Sequence, residues 1–187
     1  MKHHASARYP APADAVLHMF TQQEFHRRKL ERIGLPEFHI LECREQGDEF
    51  IIRVERKVAV KLPGLGRRPP ALSTVVHTES WNRATGRGRI DVQMAALRLT
   101  MQCDAAITDA GADACVVDYD WTLRSAMPIV GHTIERLVAA NMDKEAAPEH
   151  AAGIALLAED RAPTLHPDQR SASAARATTR RRRRAQK

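Results

Sequence analysis

Apolar and polar positions alternate through the middle of the chain, from residue 37 to residue 123. Between residues 50 and 60 apolar side chains share one parity and mostly charged side chains fill the other, which is typical of an antiparallel strand with one face in water. Residues 97–105 and 117–123 repeat the alternation, with a turn signal at Gly111 between them. The pattern predicts about six antiparallel strands in this region.

Two short helices are predicted before these strands, after a first strand around Tyr9. Residues 13–20 place apolar side chains at i, i+1 and i+4, on one side of a helix. Thr21 and Glu24 have the spacing of a capping box, in which the threonine hydroxyl and the glutamate each bond a free backbone amide of the first turn. The second helix is therefore expected to run from there to about Arg32.

A long amphipathic helix is predicted after the strands. It opens at Pro128, because a proline in the first turn removes an amide that would have no partner in any case. Pro148 and Gly153 interrupt the pattern, so we expect a break near residue 147 and a weaker helix beyond it. One strand, two short helices, about six strands and one long helix make an α+β arrangement. The apolar stripe of this helix, suited to packing on a sheet, comprises Val130, Ile134, Leu137 and Val138.

Charge divides the chain of 187 residues into a body and a tail. Residues 161–187 hold nine of the 29 basic residues and, at Asp168, one of the 23 acidic ones, so the body is slightly acidic and the tail strongly basic. The tail has almost no large apolar residues, and this composition predicts disorder. Arg180 to Arg184 would give weak nonspecific contact with nucleic acid or an anionic membrane; the alternative is a solvated tail without a partner.

Several classes of protein are excluded by missing signals. No stretch is long and apolar enough for a transmembrane segment, and the first residues lack the apolar region of a secretory signal, so we expect a cytoplasmic protein. Cys43, Cys103 and Cys115 lack the spacing of a disulfide framework or zinc site, which favours free thiols. His132 and Glu135 lack a third metal ligand. Hydrolase, zinc-protease and phosphate-loop motifs are absent, and no cofactor and no metal are predicted.

The order of elements and three motifs resemble the START-like, or helix-grip, superfamily of polyketide cyclases and lipid-transfer proteins. The motifs are Tyr9-Pro10-Ala11-Pro12, Thr78-Glu79-Ser80-Trp81, and the run from Pro128 to Val138. Within this superfamily the chain is similar to a bacterial family of uncharacterised function. The resemblance covers residues 1 to about 157. It implies a curved antiparallel sheet of about seven strands wrapped around a long C-terminal helix, in a domain of residues 1–160 followed by the tail, 161–187.

The resemblance also implies an apolar cavity between sheet and helix that holds a hydrophobic small molecule. Such a cavity stays dry and binds an apolar guest that fits it. The leading functional hypothesis is therefore binding or carriage of a lipid-like or polyketide-like molecule. The alternative for each apolar residue is that it fills the core itself. The residues expected to line the site are Phe50, Ile52, Val54, Arg56, Ile90, Val92, Leu99, Met101, Tyr119, Trp121, Ile134 and Val138.

Four polar residues are candidates for chemistry in this cavity. Arg56 interrupts the inward parity of its strand and would pair with an acid group of a ligand, unless a bulge turns it to solvent. His77 and Glu79 share a strand face and suit an acid and base of a cyclase or aromatase, or else lie at the surface with Val76 inward. Tyr119 would orient a polar ligand group or be an ordinary core tyrosine. A third hypothesis is a filled, non-catalytic domain docked to an anionic polymer by its tail.

Overall fold

The computed structural model describes residues 1–35, 37–60 and 71–161. These residues form seven strands, four α-helices and one short 3-10 turn, Ala95–Leu97. The α+β prediction, with two short helices after the first strand and a long helix at the end, is confirmed. The elements are β1 Lys2–Tyr9, α1 Ala13–Phe20, α2 Gln23–Arg32, β2 Phe38–Gln46, β3 Glu49–Val60, β4 Ala71–Asn82, β5 Arg87–Met94, β6 Leu99–Asp109, β7 Cys115–Ser125, α3 Gly131–Ala139 and α4 Met142–Arg161.

All seven strands belong to one curved antiparallel sheet in the order β1-β7-β6-β5-β4-β3-β2. Strands β2 to β7 follow one another along the chain, and each pairs antiparallel with its sequence neighbour. Strand β1 pairs with β7, from Lys2 opposite Thr122 to Tyr9 opposite Cys115. This pairing places the two short helices, which follow β1, on the same layer as the C-terminal helices, as the helix-grip arrangement requires.

The centre of the core is the indole of Trp81 on β4, which is fully buried. Gly88 lies directly opposite it on β5, and a methyl group built on Gly88 would lie 2.6 Å from the ring. The ring of Phe20, from α1, packs against the indole, with 5.3 Å between the two ring centroids. Aromatic side chains from the helices therefore fill the inner face of the sheet around Trp81.

The capping-box prediction is wrong. The Thr21 hydroxyl donates a hydrogen bond to the His18 carbonyl, 3.1 Å away, and the N-cap of α2 is Gln22, which makes no side-chain capping bond. Thr21 closes the preceding helix instead, because only two residues separate α1 from α2 and its backbone amide is already bonded to the last turn of α1.

The break expected near residue 147 lies earlier. Helix α3 ends at Ala139, and α4 begins at Met142 and continues through Pro148 to Arg161. Asn141 marks the joint, since its side-chain amide donates to the Leu137 carbonyl, 2.7 Å away. Pro148 interrupts only one backbone hydrogen bond of α4, and packing around Gly153 holds the helix beyond it. Without a side chain, Gly153 allows α4 to approach the ring of Tyr9, which a methyl group there would contact at 3.3 Å.

Met1–Leu157 form one compact unit and Ala158–Lys187 a second, of which the structure describes only residues 158–161, the last turn of α4. The remainder of the basic tail, for which disorder is predicted, lies outside the described residues. Cys43, Cys103 and Cys115 are free, as expected. Within the described ranges, no helix combines the length and the hydropathy that crossing a bilayer requires.

Candidate functional site

A pocket opens between the inner face of strands β3 and β4 and the helices α2 and α4. Its walls combine apolar groups at one side with a group of charged and imidazole side chains at the other. The enclosed part of the pocket leaves a volume of about 20 Å³ in which the centre of a water molecule can lie. This is enough room for about one water. With the solvent at the mouth, the empty space amounts to about 310 Å³. The lining residues are His26, Lys29, Leu30, Ile52, Val54, Arg56, His77, Glu79 and Glu149.

Strand register brings the sheet residues of the pocket together. Ile52 pairs with Glu79, and Val54 with His77, so these four side chains are cross-strand neighbours on one face. Arg56 follows on β3 with the same parity. Because side chains alternate along a strand, the burial of Ile52, Val54 and Glu79 places His77 on the inner face with them. Val76 therefore takes the other parity.

The helices supply the opposite wall. His26, Lys29 and Leu30 stand three and four residues apart on α2, which is the spacing of one helix face. Glu149 reaches the same pocket from α4. Two sequence-distant helices thus each contribute a charged group to a site whose floor belongs to the sheet.

Glu79 is the buried carboxylate of the pocket, only 5% exposed. Trp81 donates its indole N–H to Oε1 over 2.6 Å. Oε2 lies 3.3 Å from His77 Nε2 and 3.9 Å from His26 Nδ1. Burial acts to raise the pKa of Glu79, but His26, His77 and Lys29 together outweigh it and hold this pKa below the ordinary range. The carboxylate is therefore ionised, because the Trp81 N–H donates to it and the Lys29 ammonium lies near it.

His26 is held in a single orientation beneath Glu79. Its Nε2 lies 2.8 Å from the Phe20 carbonyl, and since a carbonyl only accepts, Nε2 carries a proton. The imidazole stacks on the ring of Phe50 at 5.8 Å between centroids. Burial lowers the pKa of His26 to about 4, although the nearby Glu79 opposes the shift. His26 is consequently a neutral structural group at physiological pH.

Glu149 joins the two cationic side chains of the pocket. Its Oε1 accepts from an Nη of Arg56 at 2.8 Å, and its Oε2 lies 3.2 Å from Lys29 Nζ. Burial raises the pKa of Glu149, but Lys29 and Arg56 more than compensate and lower it to about 2. This ion-pair cluster connects α2, β3 and α4 at the mouth of the pocket.

Two buried nitrogen atoms of pocket-lining residues have no hydrogen-bond partner among the described residues: Arg56 Nε, which is a donor, and His77 Nε2, which donates or accepts according to the ring tautomer. The 3.3 Å contact between His77 and Glu79 lacks the alignment of a hydrogen bond. A buried polar group without a partner costs about 1–3 kcal/mol, so such groups in a native protein call for an explanation. Arg56 Nε requires an acceptor, because a guanidinium N–H can only donate.

The twelve residues expected to line a cavity occupy three places. Ile52, Val54 and Arg56 lie in the pocket, and Phe50 backs it through the His26 ring. Those in the central core around Trp81, or against it, are Ile90, Val92, Met101, Tyr119 and Trp121. Those in a smaller cluster beneath α3, or against it, are Leu99, Ile134 and Val138. Their role in binding remains a prediction.

Sequence reasoning did not identify His26, Lys29, Leu30 or Glu149 as site residues. The i, i+3 spacing of His26 and Lys29 on a helix that also carries Phe25 and Leu30 is a usable signal, because it puts two polar groups beside an apolar face. Glu149 offers no comparable signal, since it follows Pro148 in an exposed stretch of α4. Within the described residues, no group of three or more His, Cys, Asp or Glu side chains is placed to hold a metal ion.

Acid is expected to destabilise the fold through His26. The unfolded imidazole takes up a proton near pH 6.5, whereas the folded one does so only near pH 4, so stability falls as pH drops through this window. From about pH 7 to about pH 5 this amounts to about 2 kcal/mol. Urea unfolding of His26→Gln should show a smaller acid loss than the wild type, whereas exposed His39→Gln should not. Equal losses in all three proteins would contradict the assignment.

Solved structures with the same fold span most of this chain. A protein from Thermus thermophilus, TTHA0849, matches with a TM-score of 0.61 at 14% identity, over 87% of this chain and 100% of that chain. The Zhui aromatase/cyclase from a Streptomyces species matches with a TM-score of 0.59 at 14% identity, over 88% and 98%. A START superfamily protein from Mycobacterium smegmatis matches with a TM-score of 0.53 at 11% identity, over 83% and 98%.

A family model matches residues 4–155, which include strands β2 to β7, most of β1 and all the pocket residues. No curated protein sequence matches the chain. The fold, the sheet order and this match agree with the resemblance seen in the sequence. The chain has the START-like, helix-grip fold and belongs to the family described as "Protein of unknown function (DUF2505)".

Proposed function

We propose that this protein binds a small molecule with an apolar body and a hydrogen-bond-accepting group in the pocket between β3, β4, α2 and α4. The observation that carries the proposal is the pair of buried nitrogen atoms, Arg56 Nε and His77 Nε2, that belong to pocket-lining residues and have no partner among the described residues. A ligand group that accepts from Arg56 Nε would remove the cost of that unpaired donor.

The remaining walls suit the rest of such a ligand. Leu30, Ile52 and Val54 offer an apolar surface beside the two nitrogen atoms. A few placed polar groups in a largely apolar wall are characteristic of small-molecule sites. His77 Nε2 donates to a ligand when it carries the ring proton and accepts from one when it does not.

The fold supports this proposal by analogy, since helix-grip proteins include the aromatase/cyclase and the START superfamily protein above. The His77–Glu79 contact would also suit proton transfer in a cyclase-type enzyme. We favour binding without a covalent step, because Arg56 keeps its proton at physiological pH and its buried Nε requires an acceptor. Residues 1–160 would form the binding domain, and residues 161–187 an appended tail.

The proposal is tested by calorimetric titration with octanol and octanoate. Arg56→Met should weaken binding of whichever compound binds by about tenfold or more, because a hydrogen bond from a charged donor is worth about 1.5–3 kcal/mol. Arg53→Met on the same strand is the matched control, since Arg53 is exposed and has the opposite parity. It should change affinity less than about twofold.

Thermal unfolding of both variants checks that they fold. Binding of neither compound to the wild type would overturn the proposal. Equal affinity of folded Arg56→Met and Arg53→Met would remove Arg56 from the site and would also overturn it.

A further inference from the structure

The Glu149 carboxylate already occupies an anion site made by the rest of the protein. The cations that hold it come from two separate elements, Lys29 from α2 and Arg56 from β3, and they contact different oxygens of the same carboxylate. Both cations also line the pocket. Glu149, which belongs to a third element, α4, therefore stands where the acid group of a pocket ligand would be held.

The fit between Glu149 and Arg56 is incomplete. Glu149 accepts from one Nη of Arg56, while Arg56 Nε remains buried without a partner among the described residues. Guanidinium groups bind carboxylates most strongly through two parallel hydrogen bonds. Arg56 Nε is buried, so a ligand carboxylate would reach it only once Glu149 has moved aside, and it would then offer Arg56 a bond that Glu149 does not make.

Charge balance favours a ligand carboxylate that replaces Glu149 over one that binds beside it. Two cations, Lys29 and Arg56, face two carboxylates, Glu79 and Glu149, within the pocket. A third carboxylate would leave an uncompensated negative charge in a partly buried site, which is costly. A ligand carboxylate that replaces Glu149 leaves the balance unchanged.

The first half of the helix that carries Glu149 is weakly held, although Asp143 bonds His3 over 2.9 Å. Residues 143–148 are all exposed, so little apolar burial holds the first half of α4 in place. Pro148, immediately before Glu149, has no amide to continue the helical hydrogen bonds. Movement of this half-helix would also widen a pocket that otherwise has room for about one water.

Resting on the proposed function, we propose that the ligand is an apolar carboxylate and that its carboxylate displaces Glu149 from Lys29 and Arg56. Glu149 is then an internal competitor that closes the empty site. The acid has to break the ion pairs of Glu149 with Lys29 and Arg56 before it binds. A neutral molecule with the same apolar part does not compete with Glu149.

The test measures the affinities of octanoate and octanol for the full chain and for Glu149→Gln. Loss of the competing charge should raise the affinity for octanoate about tenfold or more and change that for octanol less than about twofold. Glu145→Gln is the matched control, because Glu145 is exposed one turn earlier on α4. It should leave both affinities unchanged. In the Glu149→Gln background, Lys29→Met should reverse the gain for octanoate.

If Glu149→Gln does not fold, Glu149→Asp replaces it, because the shorter side chain keeps the charge but withdraws from the cations. It should raise the affinity for octanoate about threefold. Weaker octanoate binding in either variant would overturn the inference, as would an equal gain for octanol. Octanol binding without octanoate binding to any variant would overturn the inference and leave the proposed function standing. Binding of neither compound would overturn the proposed function itself.

Discussion

Replacement of Gly88 by alanine is expected to lower the free energy of unfolding by about 3 kcal/mol, as overpacking of a rigid core does. The added methyl group would lie 2.6 Å from the Trp81 ring, and the two other nearest atoms belong to the same ring. The indole is fully buried and packed against Phe20, so it has little room to withdraw. Local preference alone has the opposite sign, because alanine in a strand costs less conformational entropy than glycine.

Urea denaturation of Gly88→Ala checks this result. The neighbouring Arg89→Ala is the matched control, since Arg89 is exposed and faces Ser80 across the strands. It should change stability by less than about 1 kcal/mol, as surface ion pairs usually do. Equal or greater stability of Gly88→Ala would show that the indole is not confined as described.

Trp81→Phe is expected to cost about 3 kcal/mol, because it removes a hydrogen bond to a buried charge as well as part of a ring. The Trp81 indole is the hydrogen-bond donor to Glu79, at 2.6 Å, and the carboxylate would remain buried without it. Loss of this donor should also raise the pKa of Glu79 towards its unfolded value, so that the variant loses less stability than the wild type as acid protonates this carboxyl group.

Trp121→Phe is the matched control for this substitution. Trp121 is the second tryptophan of the chain, is partly buried, and makes no indole hydrogen bond with the part of the chain that the structure describes. Its replacement should cost about 1 kcal/mol. A similar loss in both variants, with the same acid sensitivity, would contradict the role assigned to the Trp81–Glu79 bond.

Strand signals in this chain were more reliable than helix-end signals, for a physical reason. A half-buried strand needs every second side chain to be apolar, so residues 50–60 and 97–105 carry the signal many times over. A helix cap depends on only one or two residues. Thr21 lies between α1 and α2, and its hydroxyl bonds the end of α1 rather than the start of α2. Pro148 predicts a break in the helix, but the loss of a single hydrogen bond is outweighed by the packing of Gly153 and its neighbours against Tyr9.

The polar half of the pocket was only partly readable. Parity placed Arg56 inward with Ile52 and Val54, and the same reasoning singled out His77 and Glu79. Alternation alone does not decide whether His77 or Val76 faces inward, because either set of alternate residues on β4 could face the core. Pairing of Val54 with His77 across β3 and β4 makes that choice.

Composition and periodicity alone were sufficient for the α+β class, the antiparallel sheet and the inner face of β3, since each follows from local alternation and the order of elements. The pocket itself came from tertiary packing. Lys29, Arg56 and Glu149 are far apart along the chain, and only the approach of α2 and α4 to β3 brings their charges into contact. The free volume beside them is likewise a property of packing, because it depends on how closely Trp81, Phe20 and their neighbours fill the curved sheet.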